Sequence, residues 1–126
     1  MKEIISTDKA PAAIGPYSQG VKAWGFLFLS GQIALDPKTM AVVEGDAAAQ
    51  TEQAMKNMKE ALGSQGLDFS DVVKTTVFIK DMNEFKRINE VYGRFFEKDA
   101  PARSCVEVAR LPKDVLVEIE AIALLK

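Results

Sequence analysis

A chain of 126 residues, 48% of them hydrophobic, has the size and apolar content of a single packed domain spanning 1–126 rather than of a disordered segment. Sixteen Lys and Arg against eighteen Asp and Glu leave a net charge of −2, so no basic field exists to release the counterions of many phosphates, which weighs against nucleic acid as a partner. Histidine is absent and Cys105 is the only cysteine, which excludes an intrachain disulfide, the usual ligand sets of zinc, and Ser-His-Asp or Cys-His catalysis; proton transfer falls to Glu, Asp, Lys, Tyr, backbone groups or water.

Charges at Lys2, Glu3, Asp8 and Lys9 break up the N-terminal segment, which lacks the apolar run of a signal peptide. The longest early apolar run, 24–29, is far short of the roughly 20 residues of a membrane-spanning helix, so a cytoplasmic protein without membrane partners is expected. Strands are predicted over 2–6, 17–23 and 26–30, with a turn at Trp24-Gly25 joining the last two as a hairpin. Residues 31–45 read as a loop punctuated by Asp36-Pro37 and Gly45, with a short extended stretch at 40–43.

A helix is predicted from Asp46, as N-cap, to Gln65, stopped by Gly66, with Thr51, Met55, Met58 and Leu62 at helical spacing. Over 71–80, Val73, Thr75, Val77 and Ile79 alternate with Val72, Lys74, Thr76 and Phe78 as in a strand. Asp81 stands three residues before Glu84, the spacing of a capping box, and Phe85, Ile88, Tyr92, Phe95 and Phe96 build one apolar face of a second helix that ends at 99–101. Two strands, 103–109 and 115–125, follow, and the turn between them at 111–114 predicts that they pair with each other.

The order β-β-β-α-β-α-β-β is an α+β pattern, a mixed sheet with two helices on one face. Yet the strands keep apolar residues on both faces, Phe26 and Phe28 against Leu27 and Leu29, and Leu116, Ile122 and Leu124 against Val117 and Ile119. A second face of this kind needs a cover, and another copy of the chain is the expected one.

Strand periodicity puts Arg103, Cys105 and Glu107 on one face of their strand, and Glu118 and Glu120 together on the last strand. If the two strands pair, an arginine meets two carboxylates. A cross-strand ion pair is the plainer reading of this pattern. The functional one is that Arg103 forks onto a substrate carboxylate while a glutamate orients a water. Cys105 has no histidine to activate it and reads better as a packing residue or backbone donor than as a nucleophile.

The stretch Gly15-Pro16-Tyr17-Ser18-Gln19-Gly20-Val21-Lys22 fails as a phosphate loop, because the lysine is displaced, no Ser or Thr follows it, and Pro16 removes a donor. Tyr17 reads either as a half-buried strand tyrosine or as an aromatic wall with a hydroxyl. Ser30-Gly31-Gln32 reads either as a plain turn or as a place where glycine admits a ligand to backbone donors.

Five segments in order, 10–20 with Ala-Pro-Ala-Ala-Ile-Gly-Pro-Tyr-Ser-Gln-Gly, Ser30-Gly31-Gln32, 73–78, 101–112 with Pro-Ala-Arg-Ser-Cys-Val-Glu-Val-Ala-Arg-Leu-Pro, and 117–121, resemble the Rid family of reactive-intermediate imine deaminases, in particular its RidA type. The resemblance spans nearly the whole chain. It implies a chorismate-mutase-like subunit in a homotrimer, whose sheets form a central β-barrel and whose sites lie in clefts between subunits. It also implies roles: Arg103 for the substrate carboxylate, Glu118 for the attacking water, Tyr17 in the pocket wall, Ser30, Gly31 and Cys105 lining the site largely through backbone groups, and Asn89 as a recurrent family asparagine.

The implied activity is hydrolysis of 2-imino acids such as 2-iminobutanoate and 2-iminopropanoate to 2-keto acids and ammonia, with no metal or organic cofactor. A non-catalytic 2-keto acid-binding regulator would use the same pocket, and ribonuclease and chaperone-like activities are also credited to the family. One departure is visible: only 97–102 separate Phe96 from Arg103, a segment shorter than in many relatives and without the aromatic that often precedes the proline.

Overall fold

The computed structural model describes residues 1–126. It contains six strands, β1 (Glu3–Ile5), β2 (Gly20–Ala23), β3 (Phe26–Gln32), β4 (Val72–Ile79), β5 (Ala102–Glu107) and β6 (Val117–Leu124), and two helices, α1 (Ala47–Gly63) and α2 (Phe85–Gly93). The strands form one mixed sheet in the order β1-β2-β3-β6-β4-β5, and both helices lie on the same face of it.

Local chemistry sets several boundaries where the sequence predicts them. Trp24 and Gly25 both take positive φ, 55° and 83°, which gives the β2–β3 hairpin a two-residue turn whose twist matches its strands. Asp46 caps α1 by accepting from the Ala49 amide at 3.0 Å, a contact worth about 1 kcal/mol. Met55, Met58 and Leu62 on that helix are fully buried against Leu27, Val77, Ile79, Val117 and Ile119, and each contributes roughly 1.5–3 kcal/mol.

Other boundaries move. Residues 17–19 lie outside β2, because the Tyr17 amide turns back onto the Gly15 carbonyl and Gln19 bonds to the preceding loop. β3 runs on to Gln32, through residues expected in a loop. α1 ends at Gly63 rather than Gln65. Asp81 accepts from the Asn83 amide and starts a 3-10 turn, Met82–Glu84, so the predicted capping box does not form; a capping box is present at Asp68 and Asp71 instead. Phe95 and Phe96 follow the end of α2 and pack edge-on against Phe69. In β4 a bulge at Val73 shifts the register, so that Val72 joins Thr75, Val77 and Ile79 in the interior while Val73 is exposed.

The largest difference concerns the last two strands, which do not pair. β5 runs parallel to β4, with Arg103 beside Thr75 and Cys105 beside Val77, whereas β6 runs antiparallel between β3 and β4. β4 is paired along both of its edges, by β5 in parallel and by β6 in antiparallel fashion. The α2 crossover delivers β5 to one of them, and the segment 108–116 then crosses the end of β4 to deliver β6 to the other. The face away from the helices carries Ile4, Phe28, Val106 and Leu124, each between 42% and 53% exposed, together with Phe26, Phe78 and Ile122. No helix is long and apolar enough to cross a membrane.

Candidate active site

The register of β3 against β6 creates the first group of site residues. Leu29 pairs with Ala121 and Gln32 with Ile119, so Ser30 and Gly31 together oppose the single residue Glu120, a β-bulge at the end of β3. The carboxylate of Glu118 folds over Gly31 so closely that a Cβ there would stand 2.3 Å from Oε2. Ser30 is held by its own hydroxyl, which donates to the Ser18 carbonyl at 2.5 Å, and by its amide, which donates to the Gln19 carbonyl at 3.0 Å.

A cleft of about 600 Å³ opens over this bulge, with Tyr17, Ser30, Gly31, Glu118 and Glu120 in its wall. Pro11, Ile14, Ile33, Leu35 and Met40 make the rest largely apolar, and Lys113 is the one cation of the lining. Burial, and then the neighbouring Glu120, raise the Glu118 carboxyl above its ordinary pKa.

The second group lies elsewhere. Arg103 stands on the helix-side face of β5, where its Nη1 donates to Asn89 Oδ1 of α2 at 2.7 Å and its guanidinium carbon sits 5.0 Å from the Tyr92 ring centroid and 5.5 Å from that of Phe85. The aromatic rings and the amide fix the fork while leaving it exposed, so it is free to take two oxygens of an anion. The Tyr92 hydroxyl is tied at 2.7 Å to that of Thr75, directly beside Arg103 in the sheet. Cys105 is half-buried on the same face, and burial raises its thiol pKa, which favours the neutral thiol over a nucleophilic thiolate. Glu107 accepts from the Met82 amide at 2.8 Å.

The expected meeting of Arg103 with Glu118 and Glu120 therefore does not occur within one chain. β4 separates their strands by two strand spacings, roughly 10 Å, and the side chains project from opposite faces of the sheet. The structure brings together Tyr17, Ser30, Gly31 and Glu118 in one group, and Arg103, Asn89 and Cys105 in another. Sequence reasoning missed Lys113, the wall residues Ile33, Leu35 and Met40, and the rings beneath Arg103, which had read only as the apolar face of α2. No three acidic or thiol side chains converge to hold a metal ion.

Residues 7–125 match the family model described as Endoribonuclease L-PSP. A 2-iminobutanoate/2-iminopropanoate deaminase of Salmonella typhimurium is 56% identical to this chain over 126 residues, covering 98% of each. Among solved structures, a Rid family protein of Yersinia pestis is 46% identical with a TM-score of 0.94, over 99% of this chain and 100% of its own. The YjgF gene product of Escherichia coli is 53% identical with a TM-score of 0.91, over 98% of this chain and 99% of its own.

Proposed function

The chain belongs to the Rid family, and we propose that within it the protein is a deaminase that hydrolyses small 2-imino acids to 2-keto acids and ammonia. The observation that carries this reading is the pair of half-sites: a carboxylate with a raised pKa over a glycine bulge in an apolar cleft, and an exposed guanidinium held ready for a carboxylate.

A protonated imine is already electrophilic at C2. The protein has to hold the substrate carboxylate, present a water to C2 and move protons as the carbinolamine expels ammonia. In this reading Arg103, oriented by Asn89, takes the carboxylate. Glu118 accepts a proton from the attacking water, returns it to the nitrogen, and then takes the carbinolamine hydroxyl proton as the C–N bond breaks and ammonia leaves. Tyr17 and the apolar wall exclude bulk water, the backbone at Ser30 and Gly31 leaves room for the substrate, and Cys105 lines the site beside Arg103. No metal or organic cofactor is required by these steps.

Since the two half-sites face opposite sides of one sheet, the working site is composed from two copies of the chain, one giving Arg103 and the other Glu118. The apolar sheet face supports the same assembly, read as a homotrimer with its sheets closed into a central barrel, and the compartment proposed for it is the cytoplasm. Ammonia release from a freshly generated 2-imino acid, with and without the protein, is the direct test. Release at the uncatalysed rate, together with binding of the 2-keto acid, would replace this reading by that of a regulatory binder.

A further inference from the structure

Helix α1 contributes no residue to either half-site, yet it carries three amides, Gln50, Gln53 and Asn57, spaced so that they share one face of the helix. All three bond to the backbone or to one another, Gln53 and Asn57 at the cleft wall and Gln50 at the start of β6. Gln50 Oε1 accepts from the Leu116 amide at 2.8 Å, two residues before Glu118. Asn57 Nδ2 donates to the Ile33 carbonyl at 3.1 Å and to the Leu35 carbonyl at 2.9 Å, and its Oδ1 accepts from Gln53 Nε2 at 2.9 Å.

Asn57 is 1% exposed and Gln50 7%, among alanines and methionines. Amides in such surroundings are costly unless every bond is made, and apolar side chains would serve the core as well. Their common feature is what they hold: Gln50 fixes the entry of the strand that carries Glu118, and Asn57 fixes the wall segment facing it.

We propose that Gln50 and Asn57 are positioning residues, which set the distance between the Glu118 carboxylate and the apolar wall of the cleft and so divide the control of turnover from that of binding. This inference rests on the deaminase reading for its kinetic consequences. Loss of the Gln50 bond lets residues 116–118 shift and withdraws the proton acceptor from C2. Loss of the Asn57 bonds loosens residues 33–35 and weakens the hold on the substrate side chain, leaving Glu118 in place.

The test uses Gln50→Met, which removes the acceptor at similar volume, Gln50→Glu, which keeps an accepting oxygen, and Asn57→Leu. The expected result is a roughly tenfold fall in kcat with little change in KM for Gln50→Met, recovery in Gln50→Glu, and a roughly tenfold rise in KM with little change in kcat for Asn57→Leu, each the equivalent of one ordinary hydrogen bond. Amide hydrogen exchange gives a second readout, accelerated at 116–118 in Gln50→Met and at 33–35 in Asn57→Leu, each without the other. Equal losses in both variants with unchanged KM, or exchange that rises uniformly, would reduce the amides to packing and overturn the proposal. If the unaltered protein releases no ammonia, the deaminase reading fails alone, and the segment-specific exchange still decides whether the amides position the wall.

Discussion

Glu118 lies over Gly31 so closely that a methyl group at position 31 would displace its carboxylate, meeting the oxygen at 2.3 Å. Gly31 has no positive φ, so its backbone accepts alanine without strain, and the whole effect of Gly31→Ala falls on Glu118. The variant is expected to fold as well as the parent and to lose roughly 10- to 100-fold in kcat/KM for 2-imino acid hydrolysis, in line with displacement of a general base. A steady-state ammonia assay checks this, and an unimpaired Gly31→Ala would show that the carboxylate works from another position.

The two glutamates on the open face of β6 are separable. Glu118→Gln should lower turnover by at least roughly 100-fold while 2-keto acid binding persists, and Glu120→Gln should lose clearly less, because Glu120 lies about 6.6 Å farther along the strand. Parallel assays on the two folded variants decide between them. A more damaging Glu120→Gln would move the proton acceptor to that residue.

Glu118 also ties activity to stability. Burial first and Glu120 second raise its folded pKa above the ordinary carboxylate value, so folding works against the charged form. Its stabilising contribution is whole below the ordinary carboxylate pKa and is lost as pH rises through the raised value. Glu118→Gln, which never ionises, is therefore expected to raise Tm near neutral pH and to bring little or no gain at about pH 4. Thermal unfolding at the two pH values checks the sign, and an equal change at both would remove the charge of Glu118 from the explanation.

Arg103→Lys replaces a fork stacked near Phe85 and Tyr92 by a point charge on a flexible stem. With one charge-assisted hydrogen bond worth roughly 1.5–3 kcal/mol, kcat/KM is expected to fall by about one to two orders of magnitude. Asn89→Ala, which frees the guanidinium without removing it, should cost less. Inhibition constants for a 2-keto acid measured on both variants test the order.

If each working site takes Arg103 from one copy and Glu118 from another, two impaired variants complement. Random mixing of Arg103→Lys with Glu118→Gln subunits, after reversible dissociation, is expected to restore about a quarter of the parent activity, because a quarter of the directional interfaces then join two unaltered half-sites. Native mass spectrometry of the mixture reports the trimer directly. Absence of any recovery in mixed trimers would confine the site to one chain.

The parts of this fold that the sequence makes legible are those decided locally. Asp46 announces α1 through its capping oxygen, and Trp24-Gly25 announces the hairpin through its turn chemistry. The pairing of β5 was not legible, since two strands joined by a short connection read as a hairpin, whereas β4 lies between them in the sheet and only the long-range strand order shows it. The bulge at Val73 escaped for a related reason: strict alternation has no means of signalling one extra residue. At the site, Arg103 and Glu118 were identifiable from their resemblance to a family pattern, but their assignment to opposite faces depends on strand order. The wall at 33–35 and the loop held by Gln19 rest on side-chain bonds to backbone, which leave no periodic trace.

The strand order carries a kinetic consequence. β6 comes last in the chain but fourth in the sheet, and it alone joins β1–β3 to β4–β5. Pairs such as Leu29 with Ala121 close loops that span most of the chain, and closures of that length make for slow folding. Without β6 the sheet separates into two fragments, β1–β3 and β4–β5, and neither holds the carboxylate that Gly31 accommodates. Refolding followed by far-UV circular dichroism should therefore run ahead of the recovery of a formed cleft, with the insertion of β6 as the event that both completes the sheet and delivers its chemistry.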